Sequence, residues 1–315
     1  MPLFSVVLTL LPQGAVVAAL HRMIAYPGQS DYEFNDGLGV RTLDPDPRQG
    51  RVETLYVSPR LAEHPAVEQV IRARAARYAE IGVGTLTPVY RVDRDKAGLR
   101  VLAHAPDGVR LSDILSYLAS GQEALPDAGM LEVAAAVIKA VAAVHQLPGR
   151  IAHGSITPAH VVLSPEGTAV LTDGVFGAAV EVLQRNREEI WREFGLALPA
   201  SANLPRFDQR ADVTQLGACV LAVALRRSLT ADEYPRGVMD LVFAATPDTA
   251  PHASALRMWL QQAMQLHPRA TFSSAAEAQK MFAEITAAPG MKRAGRQALQ
   301  ALVSRCTLFS NRRAS

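Results

Sequence analysis

Cys219 and Cys306 are the two cysteines of the 315-residue chain. They are too few and too far apart for a disulfide framework or a metal-ligand spacing. Cys219 sits in an apolar run and reads as a buried free thiol, and this usage fits a reducing, cytoplasmic compartment. Charge of one sign is not in excess either. The formal net charge is +2, which gives no bulk electrostatic case for nucleic acid or an acidic partner. There is no internal repeat and no low-complexity tract. Near the start, the uncharged stretch from Leu3 to Leu20 is interrupted by Pro12, Gln13 and Gly14. It suits poorly the ~20 consecutive apolar residues of a membrane span, and it lacks the basic start of a signal peptide. Two short strands about a Pro-Gln-Gly turn account for it better, so membrane association through the termini is not the expectation.

What the chain does have is an ordinary globular balance, 49% hydrophobic and 20% charged, which argues against wholesale disorder. From Tyr26 to Gly50 it is rich in Gly, Pro, Asp and Asn and reads as an exposed loop. Val52–Val57 reads as a strand. Pro65–Ile81 reads as a helix, with Val67, Val70, Ile71, Ala75 and Tyr78 at helical spacing. Thr87–Val92 and Gly98–His104 form a strand pair across a polar turn. After that the pattern turns helical. Leu111–Leu118 is short, and Met130–His145 is long, Ala/Val-rich and buried on most sides. Ala159–Leu163 and Ala169–Thr172 flank a Ser-Pro-Glu-Gly hairpin signal. Helices are expected over Glu181–Phe194, Val213–Ala224, Ala253–Leu266 and Ser274–Ile285. The tail carries Lys292, Arg293, Arg296, Arg305, Arg312 and Arg313 without an acidic residue and reads as a flexible or weakly helical extension. Strands with one helix, followed by helices with one small hairpin, indicate an α+β chain in two lobes and not alternating βαβ units.

The densest pattern is VAAVHQLPGRIAHGSITPAHVVLSPEGTAVLTDGVFG, residues 141–177. It resembles the catalytic segment of bacterial Ser/Thr protein kinases. In that family a helix ending in His is followed by His-Arg-Asp, a Lys-Pro pair, an Asn, a hairpin and Asp-Phe-Gly. The matching letters here are His145, His153-Gly154-Ser155, Thr157-Pro158, His160 and Asp173-Gly174-Val175. Residues 211–225 look like the buried helix after the activation segment, and residues 266–278 like the Pro-Arg segment that opens the last helix. The stretch DPDPRQGRVETLYVSPRL resembles the turn and third strand of the small lobe. The likeness runs from about residue 36 to 285. It implies an α+β, two-lobed protein kinase-like fold: a small β-rich N-lobe over residues 1–105, a larger α-helical C-lobe over 106–286 and a basic tail over 287–315.

Phosphoryl transfer is mostly positioning and charge neutralisation, and the positions that supply them have changed type. Ser155 stands where the family has its catalytic Asp, and a hydroxyl is a poor base near neutral pH. Thr157 replaces the lysine of the Lys-Pro pair. Tyr56 is placed at the strand lysine and Arg74 at its helix carboxylate; a shifted register could recruit Glu68 or Glu80. No closely spaced glycine cradle is present, since Gly14 alone, or Gly37 with Gly39, does not make one. His160 replaces the metal-holding Asn and is a poor Mg²⁺ ligand. Asp173 stands at the family's metal-binding Asp, where a weak Mg²⁺ or ATP contact and a hairpin-capping role are both open. The bracing positions persist: His153 behind the loop, Pro158 in it, and Asp212 as acceptor of its N–H groups. Both ends of the family's buried Glu–Arg pair are gone, with Thr271 at the Arg position. The resemblance therefore implies a pseudokinase, with no cofactor required and a protein partner as its target. The alternative is a kinase-fold enzyme with residual or altered nucleotide-dependent transfer. A conventional kinase would need displaced groups such as Lys139 or Asp208.

Overall fold

The structure is a computed structural model. It describes residues 33–314 except 47–49, 82–83, 122, 201–203, 268–269 and 289. The strands expected over Leu3–Leu11 and Ala15–Ile24, and the Pro-Arg pair before Thr271, lie outside the described residues.

Five strands form one antiparallel sheet in the order β1-β2-β3-β5-β4. They are β1 (Glu33–Asp36), β2 (Gly39–Asp46), β3 (Gly50–Val57), β4 (Val89–Asp95) and β5 (Gly98–His104). β1 and β2 occupy much of the stretch expected to be a loop. Their two-residue connection, Gly37-Leu38, follows an Asp-Gly step of the kind that closes hairpins, with Asp36 paired to Gly39. The Asp36 carboxylate caps the turn by accepting from the Leu38 N–H at 2.8 Å. One short helix, α1 (Pro59–Ala62), and one longer, α2 (Val67–Ile81), follow β3. α2 turns Val67, Ile71 and Tyr78 inward.

The second lobe is helical. Its floor is α4 (Asp127–His145) against α7 (Gln209–Leu225). On α7 every residue from Ala211 to Ala224 is buried. α3 (Leu111–Ala119), α8 (Val238–Ala245), α9 (Ala253–Ala263) and α10 (Ala275–Ile285) surround this pair, and Trp259, Phe272 and Phe282 pack ring against ring between α9 and α10. Between the lobes runs a small sheet, β6 (Val109–Arg110), β7 (Val161–Leu163) and β8 (Ala169–Leu171), in that order. An isolated bridge from Leu86 to Leu171 ties it to the first lobe. Glu181–Phe194 is not one helix but the end of α5 (Phe176–Glu181) and all of α6 (Arg187–Phe194), split where Asn186 N-caps the second by a reciprocal bond with Glu189.

The basic tail differs most from the sequence reading. It is the 24-residue helix α11 (Met291–Ala314), packed on α4 and α3. Leu299, Leu302, Val303 and Cys306 are buried at helical spacing. Gly295 permits the closest approach, because a Cβ there would lie 2.5 Å from the Ala128 carbonyl oxygen. Among the described residues α4 alone is long and apolar enough to cross a membrane, and it spends its apolar faces on α7, α10 and α11.

Candidate functional site

The loop from Ile151 to His160 is held from below by α7. Asp212 accepts from the His153 N–H at 2.7 Å and the Gly154 N–H at 2.6 Å. Gln215 accepts from the Ile156 N–H at 2.8 Å and donates back to the Gly154 carbonyl. His145, at the end of α4, donates from Nε2 to Asp212 at 2.9 Å and accepts at Nδ1 from the Ala275 N–H. Two acceptor oxygens and a locked imidazole thus fix the loop to the core. His153 is fully buried, and its Nδ1 accepts from the Ser155 N–H. Burial pushes its pKa down to about 4, against the opposing pull of Asp212. Pro158 opens a single 3₁₀ turn, Pro158–His160, that feeds β7.

Above this loop the two lobes meet in a cluster of charge. Arg41, on β2, is 1% exposed and reaches three carboxylates: Asp36 at 3.0 Å, Glu53 at 2.8 Å and Asp173 at 2.9 Å. Arg110, at the start of α3, also pairs with Glu53 and donates to the Ala159 carbonyl. His160 completes the set. Its Nδ1 lies 2.7 Å from the Ser155 carbonyl and its Nε2 3.1 Å from Asp36. Both ring nitrogens therefore face oxygens. Burial lowers the Arg41 pKa, but the three carboxylates raise it further, to well above its ordinary value. Burial raises Asp36 and Asp173, yet the guanidinium of Arg41 and the ring of His160 hold both below the usual carboxylate range. Burying charge is tolerated only with such pairing.

The sequence-predicted positions fall around this cluster unevenly. Asp173 is inside it, in a left-handed conformation (φ 68°) and accepting from Thr172 Oγ1 at 2.6 Å. Ser155 is fully buried and donates its hydroxyl to the Asp173 backbone oxygen at 2.8 Å, which commits it as a donor. Thr157 is buried at the turn before Pro158. Tyr56 is not at the cleft. Leu55 pairs across the ladder with Arg41, and strand residues alternate faces, so Glu53 and Leu55 face inward while Tyr56 lies on the opposite face. Arg74 points behind the loop, donating to the Ala152 carbonyl and standing over the Tyr78 ring. Tyr78 in turn donates to the Gly174 carbonyl at 3.1 Å. Glu68 is spent on Arg72 and Arg94 at the surface. Asp208 N-caps α7. Arg41, Asp36, Glu53 and Arg110 were missed in the sequence. The Asp-Gly step flanked by alternating residues was the signal that could have placed the first two on a hairpin.

The space beside Arg41, lined by Arg41, Glu53, Leu55, Ala103, Asp173 and neighbours, is about 10 Å³, and a cavity of about 490 Å³ adjoins it at Thr87 and His104. The first has room for about one water; the second falls within the ~300–1,000 Å³ of cofactor pockets but is lined by none of Asp36, Arg41, Glu53 and Asp173. A cluster fit to hold a metal ion is absent among the described residues. The carboxylates of Asp36 and Asp173 could coordinate Mg²⁺ in kind, but Arg41 occupies them. The other entrance is covered by α6, whose end packs on the hairpin tip: a Cβ on Gly37 would lie 2.0 Å from the Glu193 carbonyl oxygen and 2.8 Å from Phe194 Cα. Gly37→Ala is expected to cost about 1–3 kcal/mol by overpacking. The check is a urea-unfolding midpoint compared with Gly84→Ala, where no neighbour lies within 4 Å.

No protein-family model and no curated protein matches the sequence. Solved structures do match. The Mycobacterium tuberculosis PknI kinase domain superposes with a TM-score of 0.58 at 20% identity, covering 81% of this chain and 94% of that one. A second crystal structure of the same domain gives a TM-score of 0.57 at 19% identity, covering 83% and 97%. A point variant of it gives 0.56 at 19%, covering 80% and 92%. The chain has the two-lobed α+β protein kinase-like fold.

Proposed function

We propose that this chain is a pseudokinase: a kinase-shaped module that does not transfer phosphate and that acts by binding another protein, as a scaffold or allosteric partner. One observation carries the reading. Arg41 occupies the inter-lobe space beside Asp173 and is neutralised there by Asp36, Glu53 and Asp173. A nucleotide would need that volume, and its metal would need those carboxylates. The guanidinium bonded to Asp173 is thus engaged in pairing within the chain, and the hydroxyl at the position of the family's base, Ser155, is already donating. Transfer needs a carboxylate free to take the acceptor's proton.

The binding half of the proposal is supported by apolar side chains at the surface of two touching helices. Met239 and Phe243 on α8 and Met258 on α9 are 37%, 50% and 48% exposed, and exposed apolar clusters of this kind mark contact surfaces.

The expected result is that millimolar ATP, with Mg²⁺ or Mn²⁺, leaves the apparent melting temperature of the full chain unchanged. A ligand that binds only the folded state must raise it. Incubation with labelled Mg·ATP and a generic acceptor should likewise transfer no label. A saturable rise in melting temperature, or labelling that disappears in Asp173→Asn, would overturn the proposal in favour of a transferase of altered chemistry.

A further inference from the structure

Another cavity lies on the far side of Asp36 and His160 from Arg41, between the loop at Thr157, α6 and α7. Its volume is about 270 Å³, the share of about nine waters at ~30 Å³ each. Much of its wall is apolar. α6 contributes Trp191 and Phe194, and α7 contributes Ala218 and Ala222. These two alanines are four residues apart and so share a helix face; their small side chains are what leave the room. Two polar atoms in residues of this wall lack a partner: Ser112 Oγ and Glu193 Oε2, both shut off from solvent. The other Glu193 oxygen is taken by Arg185 and faced by Arg60 at 3.7 Å. A carboxylate oxygen buried without a donor costs stability, and a small shift of Glu193 towards the cavity would let a bound donor relieve that cost.

We propose that this cavity binds a small organic amine, with its apolar body between α6 and α7 and its ammonium on Glu193. The size sets a ligand on the order of ten non-hydrogen atoms, below the usual range for drug-sized pockets. Charge sets the sign: among the described residues no lysine or arginine lines the cavity to receive an anion, whereas an ammonium gives the unpaired Glu193 oxygen a charge-assisted hydrogen bond. The site is separate from the inter-lobe cleft, so it stands or falls independently of whether the chain transfers phosphate.

The test uses the full chain with phenethylamine and, as a probe of like shape and opposite charge, phenylacetate, read by thermal shift and isothermal titration calorimetry. Phenethylamine should raise the melting temperature in a concentration-dependent way, and phenylacetate should not. Glu193→Gln should weaken the amine at least tenfold, and Ala218→Leu should abolish binding by filling the cavity, with circular dichroism confirming that each variant is folded. If Ala218→Leu does not fold, Glu193→Gln decides. Equal responses to the two probes, amine binding undiminished in the folded variants, or no amine response at millimolar concentration would each overturn the proposal.

Discussion

Replacing Arg41 by methionine is expected to lower the unfolding free energy by about 3–5 kcal/mol, the cost of removing one partner from a buried ionic cluster. Methionine keeps most of the apolar stem's volume, so the loss reports charge and not a large cavity. Arg41 is 1% exposed and its three carboxylate partners are 12% exposed or less. Without the guanidinium, Arg110 and His160 would face Asp36, Glu53 and Asp173 alone. The check is urea unfolding of the wild type, Arg41→Met, Asp173→Asn and the double variant. Direct partners should couple, so the double variant should lose clearly less than the sum of the single losses. Additive losses would mean that the Arg41–Asp173 contact carries no energy of its own.

The contacts in this cluster share a direction. Arg41 on β2 reaches Asp173 after β8, Arg110 at the start of α3 reaches Glu53 on β3, and His160 in the central loop reaches Asp36 at the hairpin tip. Each crosses from the small lobe to the rest. A buried ionic cluster is weak as a source of net stability, because hydrophobic residues of the same volume often do as well. Its geometric demands are strict, however, and three crossings meet only in one relative placement of the lobes. On the proposed reading the cluster makes the Arg41 side of the cleft a joint between the lobes, a form suited to presenting one fixed surface.

The large lobe was legible from the sequence because its signals are local. His145, His153, Pro158 and Asp212 fall at spacings that a loop anchored on a buried helix requires, and α4, α7 and α10 announce themselves by long apolar periodicity. The small lobe was harder to read. Its β2 carries an arginine on the inward face, so the strand's alternation reads as polar at the position that is most buried. Burial of Arg41 depends on Asp173, 132 residues away, and no window of the sequence contains that information. The expectation of Tyr56 at the cleft fails for a related reason: a strand's residue types do not say which face is which, and a one-residue shift reverses every side chain. The tail failed differently. Its charges suggested solvent, but Leu299, Leu302, Val303 and Cys306 give α11 a face to bury, and Gly295 lets it come close to α4.

Acid should unfold the protein in two steps, and the first belongs to His153. Its imidazole has an ordinary pKa of 6.5 and is lowered by burial to about 4. Between these values the unfolded chain holds a proton that the folded chain does not, so stability rises with pH across this window and is lost as pH falls through it. At 1.36 kcal/mol per unit the loss amounts to about 3 kcal/mol. The second step involves Asp36 and Asp173, both held below their ordinary value of 3.8, Asp173 at about 2. Their contribution is present above pH 3.8 and is lost below it as the Arg41 partners take up protons. His153→Asn separates the two, because an amide oxygen can accept from the Ser155 N–H in place of Nδ1 without titrating. Urea-unfolding free energies measured from pH 7 to pH 3 should show the first decline in the wild type and a nearly flat line for His153→Asn down to pH 4, with both proteins falling together below that. Equal slopes above pH 4 would mean that His153 is not the group taking up the proton, and the neutral imidazole behind the loop would then have to be abandoned.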